Sequence, residues 1–468
     1  MSHIEITMFS QYIPNDNEEK RSLLKKTINI GKTEELFSDL PTEILSSKSL
    51  RILKKPSELE MRREIEKILS KNFTTKNYLS FLGGGIWPHY VPAVVDAIAS
   101  RGEFLTSYTP YQPEASQGIL QALFEYQSMI CELVNMDVSN ISMYDWASAL
   151  GEAARMAARV TQRNEFLVPH YINREKMMVL KAYTESAGIK IVEISQDSAD
   201  GQIVLEDLKN KISGNTAAVY LENPSYLGFL LDSSKDVSQI IHDAKGLFIM
   251  GVDPTSLGVL KPPGDYDADI VIGEGQPLGN YMNCGGPLLG IFACKNVDSL
   301  IRQMPGRIIG MTTAGNGKEK AFCMILQTRE QHIRRQRATS NICSNEALCA
   351  LRAAVYMSLL GPCGFKELGE NILSKTNHAI ERLSKIKGIH APNFNFSHFK
   401  EFTVNFDQKS KTVHEVNRDL LNKGIIGGKP LSSEFPELSQ TALYCVTELT
   451  TLDDIERLGI ALEDMVRN

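Results

Sequence analysis

Short apolar runs alternate with amphipathic stretches through the middle of this chain. Between about residues 140 and 275 the runs EFLVP, KIVEI, AAVYLE, GLFIMGVD and ADIVIGE have the length and residue types of buried strands. Between them, ASALGEAARMAARVTQ, REKMMVLKAYTESAG, LEDLKNKIS and SKDVSQIIHDAK place apolar residues at helical spacing. Strand–helix alternation of this kind predicts βαβ units and a mainly parallel sheet, an α/β fold. Upstream, GILQALFEYQSMICELVN reads as an amphipathic helix, and two charged helices precede it. One of these begins after Pro14, and the other at Ser57, where Glu60 completes a capping box. Downstream, 319–340 and Ser344 to Leu360 are each predicted as long helices with one buried face. FKEFTVNF and TALYCVTEL read as strands of a smaller α+β region. The pattern divides the chain into an N-terminal helical arm (1–75), a large α/β domain (76–335), and long helices with a small α+β C-terminal domain (336–468).

Composition narrows the function. The 468 residues are 43% hydrophobic and 23% charged, enough for a large core and a second domain. A net charge of −6 and a pI near 5.9, with no dense Lys/Arg run, argue against nucleic-acid binding. No apolar stretch reads as long enough to cross a bilayer, and MSHIEITMFSQYIPNDNEEK lacks the apolar core of a secretory signal. A cytoplasmic protein is expected. The eight scattered cysteines form no CxxC pair, so reduced thiols are expected and a zinc site is not.

The chemistry sits at the predicted strand ends, where ligands of such sheets bind. Asn223 ends the first of three strands in YLENPSYLG, Asp253 the second in IMGVDPTSLG, and Gln276 follows the third in IVIGEGQPLG. This reads like the floor of a pyridoxal-phosphate enzyme, in which an Asn and an Asp tune the ring and a Lys anchors it as a Schiff base. Here the lysine position holds glutamine, whose amide forms no Schiff base, and the chain has no lysine between Lys261 and Lys295. Lys261 lies too close behind Asp253 for a crossover to the next strand. Ser148 opens a helix whose N–H groups suit a phosphate, or is simply its cap. Two loops complete the candidates. Gly83, Gly84 and Gly85 run together before Trp87-Pro88. In SYTPYQPEASQG, Tyr108, Tyr111, Gln112 and Glu114 form an extended polar–aromatic segment that suits either a substrate wall or a subunit contact. GEGQPLG lacks dinucleotide-loop spacing, and GxSxG, HExxH and GxxxxGK[ST] do not occur.

The words GGGIWPHYVP, SYTPYQPEASQG, GEGQPLG, GGPLLGIFA, GRIIGMT and QTREQHIRRQRATSNIC together resemble one family across nearly the whole chain. It is the glycine dehydrogenase (decarboxylating) P protein of the glycine cleavage system, in its split form, and most closely subunit 1. The resemblance implies a fold type I pyridoxal-phosphate transferase architecture. It implies that subunit 2 carries the cofactor through a His-Lys pair, whose positions here hold Gly275 and Gln276. The implied reaction decarboxylates glycine on pyridoxal phosphate and passes the aminomethyl carbon to the lipoyl disulfide of H protein, in association with the T and L proteins. Two copies of each subunit are expected to pair. In that setting Tyr108, Tyr111, Gln112, Glu114 and Gly83–Gly85 are candidates for an active-site wall, and Ser148, Asn223, Asp253 and Gln276 for a degenerate cofactor site. Two alternatives stay open: an independent pyridoxal-phosphate lyase or transferase using a lysine such as Lys261, and a noncatalytic scaffold regulating assembly.

Overall fold

Fully buried runs of β-branched and aliphatic residues build the centre of the molecule. The computed structural model describes residues 13, 16–41, 43–45, 56–75, 77–107, 110–315, 317–342, 345–408 and 411–467. Residues 1–73 and 74–468 form two compact units. The first contains α1 (Glu18–Thr27) and α2 (Glu58–Leu69). The Asn17 side chain caps α1 by accepting from the Lys20 N–H at 2.9 Å. On α2, Ser57 N–H donates to Glu60 at 2.8 Å and Glu60 N–H to the Ser57 hydroxyl at 3.3 Å. No side chain of either helix is buried.

In the second unit, α3 (Gln117–Val134) leads into a seven-stranded sheet. Its strands are β1 (Val138–Ser139), β2 (Glu165–Pro169), β3 (Lys190–Ile194), β4 (Thr216–Glu222), β5 (Leu247–Val252), β6 (Ile270–Glu274) and β7 (Gly290–Cys294). Their spatial order is β1-β7-β6-β5-β4-β2-β3, with β2 to β6 parallel and β7 antiparallel to β6. The connecting helices are α4 (Trp146–Thr161), α5 (Arg174–Glu185), α6 (Leu205–Lys211) and α7 (Ser234–Asp243). The period of two along each strand sends alternate residues to opposite faces. On β4, Val219 and Leu221 join one core with α3, while Ala218 and Tyr220 join the other with α4.

Three expectations fail downstream. Residues 319–340 are not a helix: β8 (Ile308–Ala314) and β9 (Glu319–Ile325) form an antiparallel hairpin, followed by short turns through Arg337. KEKAFCMI consists of fair helix formers, but pairing with β8 buries Phe322 and Met324 at period two, and that tertiary contact overrides local propensity. The second long helix is α8 (Ala347–Ser384), which outruns its expected end with a break at Gly361 before Pro362. By length and composition alone α8 is apolar enough to cross a membrane, contrary to the sequence reading. Its apolar face instead packs Ala350, Ala353, Tyr356 and Met357 into the core with α3. Beyond it, β10 (Glu401–Asn405), α9 (Val413–Asn422), β11 (Lys429–Pro430), β12 (Thr441–Cys445) and α10 (Leu452–Arg467) form a three-stranded sheet with its own core of Phe402, Val404, Tyr444 and Leu458.

A histidine clamp joins the two sheets. His170 bonds Glu193 of β3 at 2.6 Å and Glu437, in the turn before β12, at 2.7 Å. These carboxylates, Glu193 foremost, raise the His170 pKa to about 9. A folded-state value above the unfolded one makes this contribution complete below about pH 6.5. It fades as pH rises through 9. Urea midpoints at pH 6 and pH 9.5 should therefore differ less in His170→Gln than in the native chain. An unchanged difference would remove His170 as its cause.

Candidate functional site

The carboxyl ends of β4, β5 and β6 meet the segment between α8 and β10, and two buried ammonium groups lie there. Lys400, just before β10, is 1% exposed. Its Nζ lies 2.5 Å from Asp253 Oδ2, 2.9 Å from His89 Nε2 and 4.0 Å over the Trp87 ring. The other Asp253 oxygen accepts from the Thr255 N–H at 3.0 Å and hydroxyl at 2.8 Å, so the carboxylate is fully engaged. His89 in turn meets Glu448 through Nδ1 at 2.8 Å. Burial and the Lys400 charge push the His89 pKa down, which keeps the ring neutral. Lys176 of α5 lies 3.0 Å from Glu222, at the end of β4, and 3.2 Å over the Trp146 ring.

The glycine loop is fitted around this cluster. Gly84 N–H donates to Glu401 Oε1 at 2.6 Å. A Cβ at Gly83 would lie 2.2 Å from the same oxygen, and Gly84 and Gly85 have φ of +122° and +111°, so close approach and backbone angle both require glycine here. Burial raises the Glu401 pKa to about 7. Gly85, Trp87, Trp146, Lys176, Asp253 and Lys400 enclose a cavity of only about 10 Å³.

The predicted strand-end residues occupy this region without forming a shared ligand surface. Gln276 is buried beyond β6, where its amide donates to Asn280 O at 2.8 Å and accepts weakly from Trp87 N–H at 3.4 Å. Asn223 accepts from Leu231 N–H at 3.1 Å, inside its own loop. Ser148 is the third residue of α4 rather than its cap. Asp145 is the cap, accepting Ser148 N–H at 2.6 Å, and the Ser148 hydroxyl accepts Asp145 N–H at 3.2 Å. Trp146 N–H is taken by Glu274 at 3.2 Å. Glu274 also receives the Gln276 and Leu289 N–H groups, yet burial still raises its pKa to about 8. Two carboxyl groups therefore use two of the N–H donors, those of Trp146 and Ser148, that an anion would need.

The wall candidates fall into two places. Tyr108 lies outside the described residues. Tyr111, Gln112 and Glu114 are exposed, at the turn leading into α3. The Tyr111 hydroxyl accepts from Arg307 at 2.7 Å, and its ring meets His332 edge-on at 5.5 Å. The glycine loop has other partners, namely Glu401 and, weakly, Asn173, whose amide donates to Gly84 O at 3.4 Å. The sequence reading missed Lys400, Lys176, Trp87, His89 and Glu401. Only Trp87 and His89 carried any signal, as neighbours of the glycine run.

The sheet order, the antiparallel β7 and the strand-end site define the class: an α/β fold type I pyridoxal-phosphate-enzyme architecture. A sphingosine-1-phosphate lyase from Burkholderia pseudomallei shares that fold at 13% identity, with a TM-score of 0.65 over 91% of this chain and 94% of that one. A crystal structure of glycine decarboxylase (P-protein) of the glycine cleavage system, in inhibitor-bound form, is similar at 38% identity and a TM-score of 0.86, covering 97% and 100%. The family model for the glycine cleavage system P-protein matches residues 10–462, and the chain belongs to that family. Its relatives include chains named probable glycine dehydrogenase (decarboxylating) subunit 1. That of Staphylothermus marinus is 50% identical over 462 residues, 97% of this chain and 98% of the relative. That of Thermococcus kodakarensis is 48% identical over 459 residues, 98% and 99%.

Proposed function

We propose that this chain is the cofactor-free half of a two-subunit glycine dehydrogenase (decarboxylating). In this reading it completes the fold of subunit 2 and walls the approach of glycine, or of the lipoyl arm of H protein, to pyridoxal phosphate held by that partner. The observation that carries the reading is the ammonium of Lys400, 2.5 Å from Asp253. Pyridoxal phosphate does not fit the residues present. Gln276 cannot condense with an aldehyde, Asp253 is already paired, and Asp145 and Glu274 sit where the phosphate would need N–H donors. The cavity of about 10 Å³ is at most room for one water, and far short of a substituted pyridine. Lys261 is exposed, which leaves an independent pyridoxal-phosphate enzyme without a buried anchor there. We further propose a cytoplasmic assembly of two copies of each subunit, acting with the H, T and L proteins.

The test is visible absorbance of the purified chain in pyridoxal phosphate, before and after borohydride, alone and with subunit 2. No fixed adduct on the lone chain is expected, with glycine decarboxylation only in the mixture. A borohydride-stable adduct on the lone chain, or full activity of subunit 2 without it, would sink the reading. The wall assignment has its own test. In the assembled enzyme, Tyr111→Ala and Glu114→Ala should each lower kcat/KM with H protein by about tenfold, equivalent to ~1.4 kcal/mol of transition-state contact. Unchanged kinetics and assembly in both would place the wall elsewhere.

A further inference from the structure

The cluster around Lys400 has a specific composition. An ammonium, nearly fully buried, faces the carboxylate of Asp253 at 2.5 Å, a neutral imidazole at 2.9 Å and the face of an indole at 4.0 Å. In the enzymes of this fold, the aspartate at the end of this strand pairs with the protonated pyridine nitrogen of the cofactor. Without a partner cation, Asp253 would be a buried charge held only by Thr255. We infer that Lys400 stands in for the cofactor in this chain: its ammonium takes the ion pair from Asp253, and from that seat it positions the Trp87–Tyr90 segment beside the glycine loop.

The positioning follows from the bonds that radiate from this point. Lys400 reaches His89, and His89 reaches Glu448, whose second oxygen accepts the Tyr90 N–H at 2.6 Å. The next residue, Glu401, accepts the Gly84 N–H at 2.6 Å. The segment from Gly84 to Tyr90 is thus held at both ends by the Lys400–Glu401 pair and what it contacts. The site has a definite chemical preference, for a primary ammonium. An emptied Lys400 position would offer it a carboxylate, an aromatic face and an imidazole acceptor.

The chain has two tryptophans, so Trp146→Phe leaves Trp87 as the only indole and a direct reporter of this seat. Acrylamide quenching of that fluorescence should be weak. Lys400→Ala in the same background opens the cavity, and the quenching constant should rise about threefold or more. n-Propylammonium, which replaces the missing side-chain atoms and charge, should restore protection saturably. Neutral 1-propanol should not, and Asp253→Asn should abolish the rescue. Unchanged quenching in Lys400→Ala, or equal protection by 1-propanol, overturns the proposal. Should Lys400→Ala fail to fold, Lys400→Met keeps the volume and removes the charge. It should lower Tm without raising quenching, and Asp253→Asn/Lys400→Met should regain most of the loss. Strictly additive losses overturn the proposal. The inference rests on the reading that this chain holds no cofactor. A borohydride-stable adduct would defeat that reading, whereas the quenching and rescue results judge Lys400 separately.

Discussion

Lys176→Met should destabilise the chain by about 3–5 kcal/mol, the cost of leaving one member of a buried ion pair without its partner. Lys176 is 7% exposed and Glu222 3%. One oxygen of Glu222 receives both the Lys176 ammonium at 3.0 Å and the Tyr220 hydroxyl at 2.8 Å. Its other oxygen has no partner among the described residues. Burial lowers the Lys176 pKa, with Glu222 working in the opposite direction. Methionine keeps an apolar chain of similar volume while deleting the charge and its contact over Trp146. Lys176→Met/Glu222→Gln removes both charges and keeps an acceptor for Tyr220, so it should recover most of the loss. Urea unfolding of the two variants decides the matter. A single-variant cost below about 1 kcal/mol, or no recovery in the double, would mean that the pair is not a coupled buried unit.

Gly228→Ala should cost about 2–5 kcal/mol, from a left-handed backbone and a backbone collision together. Gly228 has φ +87°, and a Cβ there would lie 1.8 Å from the carbonyl oxygen of Glu401. The contact cannot relax by rotating a side chain, because both sides are main chain. Leu230 N–H donates to Ser397 O at 2.8 Å and Phe399 N–H to Gly228 O at 3.0 Å, so the loop and the strand approach are already zipped together. Pushing them apart would move Lys400 and Glu401 as well. Gly188→Ala is the control: its φ is +65°, but a Cβ there has nothing within 4 Å, so only the backbone term of about 1–2 kcal/mol applies. Equal losses in the two variants would show that the collision carries no weight.

The parts legible in the sequence are those written in consecutive residues. β4, β5 and β6 are unbroken apolar runs, and their terminal residues Glu222, Val252 and Glu274 lie next to or near the predicted strand ends. The lysine-free interval between Lys261 and Lys295 was legible because it spans a whole strand end. The β8–β9 hairpin was not, because nothing in KEKAFCMI announces that its partner is IIGMTTA; the pairing is tertiary. Ser148 was misplaced because Asp145 and Ser148 both suit a cap, and only the bond from Ser148 N–H to Asp145 separates them. Lys400 left no trace at all. In FKEFTVNF it looks like any lysine at the start of a strand, and its partner Asp253 is far away in the chain.

The helix terminus occupied by Asp145 and Glu274 bears on engineering. Gln276→Lys alone would restore the missing amine but would add a further ammonium beside a cavity already holding Lys176 and Lys400. The cavity of about 10 Å³ leaves no room for an aldehyde to reach it, and the Trp146 and Ser148 N–H groups are already taken by carboxylates. Emptying Lys400 alone would strand Asp253, and altering Asp145 alone would uncap α4. Each single step back is a loss, and a gain comes only after several are combined. On the reading proposed above, cofactor binding could be built into this chain only by altering Gln276, Lys400 and the Asp145 cap together, because each side chain is tied to partners that a single substitution would leave behind.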